Sequence, residues 1–176
     1  MKSLIYTAAR VRLQLATSEE LVNAAEAALV EGSDSKRLAM LAGETSPIYS
    51  DVEPQFLLYL KEVGIELPTQ QEAIWILLHD YLADIVESRI DPFKGMARID
   101  KELRRHTKDK KIMGDSLGIE SCYTWYRELQ DAEDGSTLFY YYDLPIAEAV
   151  EKFKIHLIEE AKKALEKLKA EHRFAL

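Results

Sequence analysis

Apolar side chains recur along this chain every three to four positions, and capping residues punctuate them, a rhythm that predicts helices. Leu4, Ala8, Val11 and Leu15 mark one helical face. Thr17, with Glu20 three residues on, has the sequence of a capping box, and Gly32 supplies a left-handed stop for the helix between them. Lys36 to Ala42 reads as a short helix ended by Gly43. Ser50 and Glu53 give a second capping box, ahead of Phe56, Leu57, Leu60 and Val63, with Gly64 as terminator. Thr69 and Glu72 give a third, opening an apolar helix over 70–88. Asp91-Pro92 reads as N-cap and first helical residue, where proline's missing N–H costs nothing. That helix runs to about Arg105, and a shorter one covers Ile119 to Gln130. Asp143-Leu144-Pro145 opens the longest helix, ending near Glu171, with Ile146, Val150, Phe153, Leu157, Ala161, Leu165 and Leu168 as its apolar stripe. The pattern leaves the conformation of 106–118 and 137–142 open. Thr137 to Tyr142 has strand propensity but no partner strand, so a packed aromatic connection is expected there.

The expected fold class is all-α: a compact single-domain array, 1–176, of roughly seven or eight helices with a long C-terminal helix. No side-chain pattern repeats at a fixed interval, which argues against a solenoid. Seven glycines and five prolines are too few for a turn-rich β architecture, and 47% apolar residues suffice for a core. The single cysteine, Cys122, allows no intramolecular disulfide and suits a reducing compartment. It is expected to be buried and dispensable. Arg10 and Arg12 interrupt the N-terminal apolar run too early for a signal peptide. No stretch approaches the ~18 apolar residues of a membrane helix. The expectation is a cytoplasmic protein without membrane association.

Charge sharpens the picture because it is segregated. The net charge is −8, which makes nucleic acid a poor partner. Residues 44–93 hold two basic and ten acidic side chains, 94–113 eight basic and three acidic, and 114–145 one basic and seven acidic. On a helical wheel Lys94, Arg98, Lys101, Arg105 and Lys108 step by four and three and share one face. Arg98, Lys101, Arg105 and Lys108 are therefore the candidate partner-binding residues, facing an acidic protein surface or a second copy of the chain. The competing expectation is a solvated face whose charges answer the acidic segments on either side. Tyr123, Trp125, Tyr126 and Phe139 to Tyr142 crowd seven aromatic residues into twenty positions. Most are expected in the core, although Tyr and Trp also favour interfaces.

The residues offer no catalytic constellation. His79-Asp80 lacks the upstream histidine of metal-dependent phosphohydrolases. Asp80, Asp84 and Glu87 line one side of a helix without the Glu-x-x-His steps of di-iron bundles, and read as a solvated face. No basic residue neighbours Cys122 to activate it. No nucleophile elbow and no phosphate-cradling glycine loop is present. No catalytic, metal or cofactor-binding residue is assigned, and no cofactor is expected. The sequence does not identify a biochemical function.

Leu38 to Gly43 with Glu44, Val63-Gly64-Ile65-Glu66-Leu67-Pro68 with Glu72-Ala73, and Ile90 to Gly95 resemble a group of small all-helical bacterial proteins of unassigned function. The resemblance covers residues 38–99, and its motifs are capping and turn chemistry that imply fold rather than activity. Chains of this size, acidity and helical content recur among bacterial immunity proteins that neutralise toxins, an analogy of type that transfers no residue. The leading expectation is a non-enzymatic protein-binding module, immunity-like in character. The alternatives are a small hydrolase or metal-dependent enzyme whose acidic residues converge from separate helices, and a structural homodimer through the C-terminal helix.

Overall fold

The computed structural model describes residues 2–108 and 113–171. Among them lie eight α-helices and no strand: α1 (Lys2–Arg12), α2 (Ser18–Val30), α3 (Lys36–Ala42), α4 (Tyr49–Glu62), α5 (Gln70–Val86), α6 (Pro92–Leu103), α7 (Glu120–Asp134) and α8 (Ile146–Glu171). Two short 3-10 turns, Arg104–His106 and Asp115–Leu117, stand between α6 and α7. The chain divides into two compact units, one ending at Leu77 and the other beginning at Leu78. The apolar periodicity carries no sign of this division, which falls inside the continuous helix α5.

In the N-terminal unit α2 is central and packs against α1, α3 and α4. Leu21, Ala25 and Ala28 of α2 share one core with Leu4 and Ala8, with Leu38 and Leu41, and with Val52, Phe56 and Leu60. Each large side chain removed from water here stabilises the unit by roughly 1.5–3 kcal/mol. Thr17 caps α2 as its sequence requires. Its hydroxyl accepts the Glu20 N–H at 3.2 Å, and its own N–H donates to Glu20 Oε2 at 2.9 Å. The same carboxylate oxygen receives Nε of the buried Arg10 at 3.0 Å, and Arg10 also donates to the Leu15 carbonyl at 2.9 Å. A single arginine thus ties the end of α1 to the start of α2.

The helix α4 departs from expectation at its start. It begins at Tyr49 with Ile48 as an N-cap that makes no side-chain cap, so Ser50 and Glu53 form no capping box. Both already lie inside the first turns, Glu53 accepts a hydrogen bond from the Tyr49 hydroxyl at 3.2 Å, and Pro54 sits inside the helix. At the other end Gly64 adopts φ +72°, and the Ile65 N–H closes back on the Leu60 carbonyl at 2.8 Å, the six-to-one bond of a glycine-terminated helix.

In the C-terminal unit α8 packs along α7 and α6. Ala149, Phe153, Leu157, Ala161, Leu165 and Leu168 form its buried stripe, which starts later than expected because Ile146 is exposed. Asp91 caps α6 by accepting the Phe93 and Lys94 N–H groups, and its carboxylate also holds Lys154 Nζ of α8 at 2.9 Å. Burial alone would raise the Asp91 pKa. The bonds from Lys154, Lys94 and Phe93 outweigh it and hold the carboxyl below its usual range. Gly95 permits the close approach of α6 to the end of α5, since a Cβ there would collide with the Ile85 side chain. The α7 helix runs four residues past its expected end, to Asp134, and Gly135 closes it at φ +77°.

Candidate binding surface

The four candidate cations fare differently. Arg98 is internally engaged: its guanidinium lies 3.9 Å from the Tyr81 ring centroid, 3.6 Å from Asp84 and 3.7 Å from Glu102. The Tyr81 hydroxyl donates to Glu102, which closes a network between α5 and α6. Asp84 also receives Arg89 Nε at 2.8 Å, and Arg89 lies 3.2 Å from Glu87, so arginines answer part of the acidic stripe of α5 that was expected to be solvated. Lys101, Arg105 and Lys108 are exposed, and Arg105 Nε donates to His106 Nε2 at 3.0 Å. Their common helical face is not formed, because α6 ends at Leu103. The 3-10 turn that follows winds about 120° per residue rather than 100°, and Thr107 is extended. Lys110 and Lys111 lie outside the described residues.

A separate candidate surface is the connection between α7 and α8. It is a series of bends, not a strand, and it is not the packed aromatic segment expected. Leu138 is buried and Tyr141 half-buried, whereas Phe139 is 85%, Tyr142 78% and Tyr140 47% exposed. Of the seven clustered aromatic residues only Tyr123 and Tyr126 are fully core.

What holds this connection is a side chain that pattern-reading passed over. Glu128, on α7, is only 5% exposed, and its Oε2 accepts the backbone N–H groups of Phe139 at 3.0 Å and Tyr140 at 3.2 Å. Two amides that no strand could satisfy are thereby satisfied by a charged acceptor, the stronger kind of hydrogen bond. The signal available in the sequence was a demand rather than a motif. A non-helical run of backbone donors beside a core needs acceptors, and Glu128 is the carboxylate next to Leu129 on the adjoining helix.

Behind the exposed rings the chain is stacked. Trp125 lies 4.4 Å from the His156 ring at 20° and 5.1 Å from Tyr140. Tyr141 and His156 Nε2 share a hydrogen bond of 2.8 Å, and Tyr141 packs 5.8 Å from Phe153. His156 Nδ1 faces Glu159 at 3.4 Å. Leu138, Tyr141 and Glu128 thus fix the loop from inside, Tyr140 packs on Trp125, and Phe139 and Tyr142 are left largely exposed.

Beside the loop is a groove of about 440 Å³ lined by Met113, Tyr123, Thr124, Phe139 and Tyr140 and by the charged Glu120, Arg127, Glu128 and Asp131. The Tyr123 hydroxyl donates to Asp100 at 3.0 Å. Cys122 is buried, as expected. Burial, with lesser contributions from Glu160 and Glu120, pushes its thiol up to about 12, so it stays protonated and unreactive at neutral pH. Among the described residues no three His, Cys, Asp or Glu side chains come together in a way that could hold a metal ion. Among the described residues no helix is long and apolar enough to cross a membrane. In comparison with known proteins, no family model, no curated protein and no solved structure matches this chain.

Proposed function

We propose that the chain is a non-enzymatic protein-binding module whose contact surface is the α7–α8 connection with its flanking charges. The observation that carries this is the combination of outward aromatic rings with an inward anchor. Large exposed rings on a loop fixed by a buried carboxylate lose little entropy on binding and gain contact area, the character of an interface hot spot. Lys101, Arg105 and Lys108 add long-range steering toward an acidic patch on the partner. Arg98, engaged by Asp84, Glu102 and Tyr81, holds α6 against α5 instead. A stoichiometric, toxin-neutralising role of the immunity type fits such a surface, because neutralisation needs a covering contact and no catalytic centre. A bacterial cytoplasm suits a protein whose one cysteine is a buried thiol.

The test is partner capture from the native host with paired baits, wild type and the double variant Phe139→Ser/Tyr142→Ser. Wild type retains a partner at simple stoichiometry, and the double variant loses it while keeping its helical circular dichroism. Equal retrieval of the same proteins by both baits contradicts the proposal.

A further inference from the structure

Tyr141, in the α7–α8 connection, adopts φ +54°, a left-handed backbone that an aromatic residue keeps only where its surroundings hold it. The hold comes from His156 of α8. The Tyr141 hydroxyl and His156 Nε2 lie 2.8 Å apart, and the two rings are parallel within 3° at 6.0 Å. Trp125 of α7 stacks on the imidazole at 4.4 Å, and His156 Nδ1 lies 3.4 Å from Glu159. The His156 side chain is 33% exposed, so protons reach it without any opening of the fold.

We propose that His156 is a pH-dependent latch that holds the α7–α8 connection more firmly when its imidazole is protonated. The neutral ring has one donor and one acceptor, and both can be satisfied here, Nδ1–H donating to Glu159 and the Tyr141 hydroxyl donating to Nε2. On protonation both ring nitrogens donate. The Tyr141 oxygen then accepts, so that contact survives with its direction reversed. The Glu159 contact becomes an ion pair, and the Trp125 face gains a cation. Two of the three contacts strengthen and none is lost.

The charges on the surrounding elements are mixed. Glu128 lies one turn along α7 from Trp125, and Asp143 follows Tyr141 in the connection. On α8, Glu160 is held by Lys163 at 2.7 Å, and Lys154 is held by Asp91 of α6 at 2.9 Å. Lys152, with Nζ 5.5 Å from the Tyr141 ring centroid, opposes a second cation. Glu159 touches the imidazole directly and outweighs it. Imidazoles change charge between about pH 5 and pH 8, and the latch tightens as pH falls through that window. A firmer presentation of Phe139 and Tyr142 in mildly acidic conditions follows, a consequence that rests on the binding role proposed above.

The Leu144 N–H donates to the Tyr141 carbonyl at 3.0 Å, so its hydrogen exchange reports whether Tyr141 is seated. Exchange is measured on the full chain at about pH 7.5 and about pH 5.5, each rate divided by the intrinsic rate at that pH. Protection of Leu144 should rise about threefold at the lower pH, the worth of a partly exposed ion pair with a cation–π contact. The Ile65 amide, bonded to the Leu60 carbonyl in the N-terminal unit, should show no such rise. His156→Gln can still accept from Tyr141 but does not titrate, and should abolish the rise. Glu159→Gln should reduce it. In wild type the ring nitrogen resonances of His156 should titrate in step with Leu144 protection, a readout that needs no variant to fold. Leu144 protection that is flat with pH, that rises equally in His156→Gln, or that stays constant while the ring titrates overturns the latch. All of this is read on the chain alone, so its failure leaves the binding role standing, and failure of partner capture leaves the latch standing.

Discussion

Each unit carries a groove of polar and aromatic residues, and the two grooves treat their charges in opposite ways. In the N-terminal unit Arg37, Glu62, Gln55 and Ser35 bind one another, and the Tyr59 and Ser33 hydroxyls share a hydrogen bond of 3.0 Å. In the C-terminal unit the only buried carboxylate among the described residues, Glu128, serves the backbone of a loop, and that loop leaves Phe139 and Tyr142 largely exposed. The first arrangement is what folding alone produces, because polar groups near a surface find local partners. The second exposes apolar rings while using a buried charge to fix them. That is costly unless something outside the chain covers the rings.

The largest effect should come from the core on which the outward loop stands. Leu157 is fully buried on α8. Leu157→Asp places an unpaired charge there and should cost more than about 4 kcal/mol, enough to unfold the C-terminal unit. Loss of the near-ultraviolet circular dichroism of Trp125 and its tyrosine neighbours would report it. An unchanged spectrum would mean that the buried stripe does not support the loop.

Glu128→Ala should follow, at about 1–3 kcal/mol, because a charged acceptor for two amides disappears. Amide hydrogen exchange gives the local version. The Phe139 and Tyr140 amides should be protected in wild type and exchange at least tenfold faster in the variant. If they exchange freely in wild type, the loop is not pre-formed and its contrast with the N-terminal groove weakens.

Asp91→Ala should cost about 1–2 kcal/mol at neutral pH by removing a helix cap, together with the Lys154 contact. Its sign with pH is fixed by the direction of the shift. The folded carboxyl titrates below its unfolded value, so its contribution is fully present above the unfolded pKa near 4. It is lost as pH falls through the lowered folded value. The difference in unfolding free energy between wild type and Asp91→Ala should accordingly narrow below about pH 4. A constant difference down to pH 2 would show that the cap works without the charge. In the N-terminal groove Arg37→Ala removes a largely exposed pair and should cost about 1 kcal/mol or less by chemical denaturation. A cost of several kcal/mol would mark that groove as a structural centre and blur the comparison.

These differences mirror what was legible in the sequence. Helix ends written as local chemistry were read correctly, since Thr17 with Glu20, Thr69 with Glu72, Asp91-Pro92 and Gly64 each act through atoms two to five residues away. Ser50 with Glu53 has the same spelling but fails, because the chain is already helical at Tyr49 and the Tyr49 hydroxyl occupies the carboxylate. The basic face was legible only as far as Leu103, since a wheel drawn to Lys108 assumes a helix that a 3-10 turn ends. Arg98 is engaged by Asp84, Glu102 and Tyr81, fourteen residues before it, four after and seventeen before, and the contacts to Asp84 and Tyr81 required knowing how α6 meets α5. The aromatic run was assigned inward because composition cannot say which rings in a non-periodic segment face water. That choice is made by Glu128, eleven and twelve residues away from the amides it binds, and by Leu138 and Tyr141 beneath them.

The most direct measurement is the melting temperature of Phe139→Ser/Tyr142→Ser. If the rings form a contact surface, removing both changes stability by no more than about 0.5 kcal/mol, and the midpoint moves by about 2 °C or less. If the rings belong to the core, as the bare sequence suggests, each truncation costs roughly 3–5 kcal/mol and the midpoint falls by more than about 10 °C, which would contradict an outward binding surface on this loop.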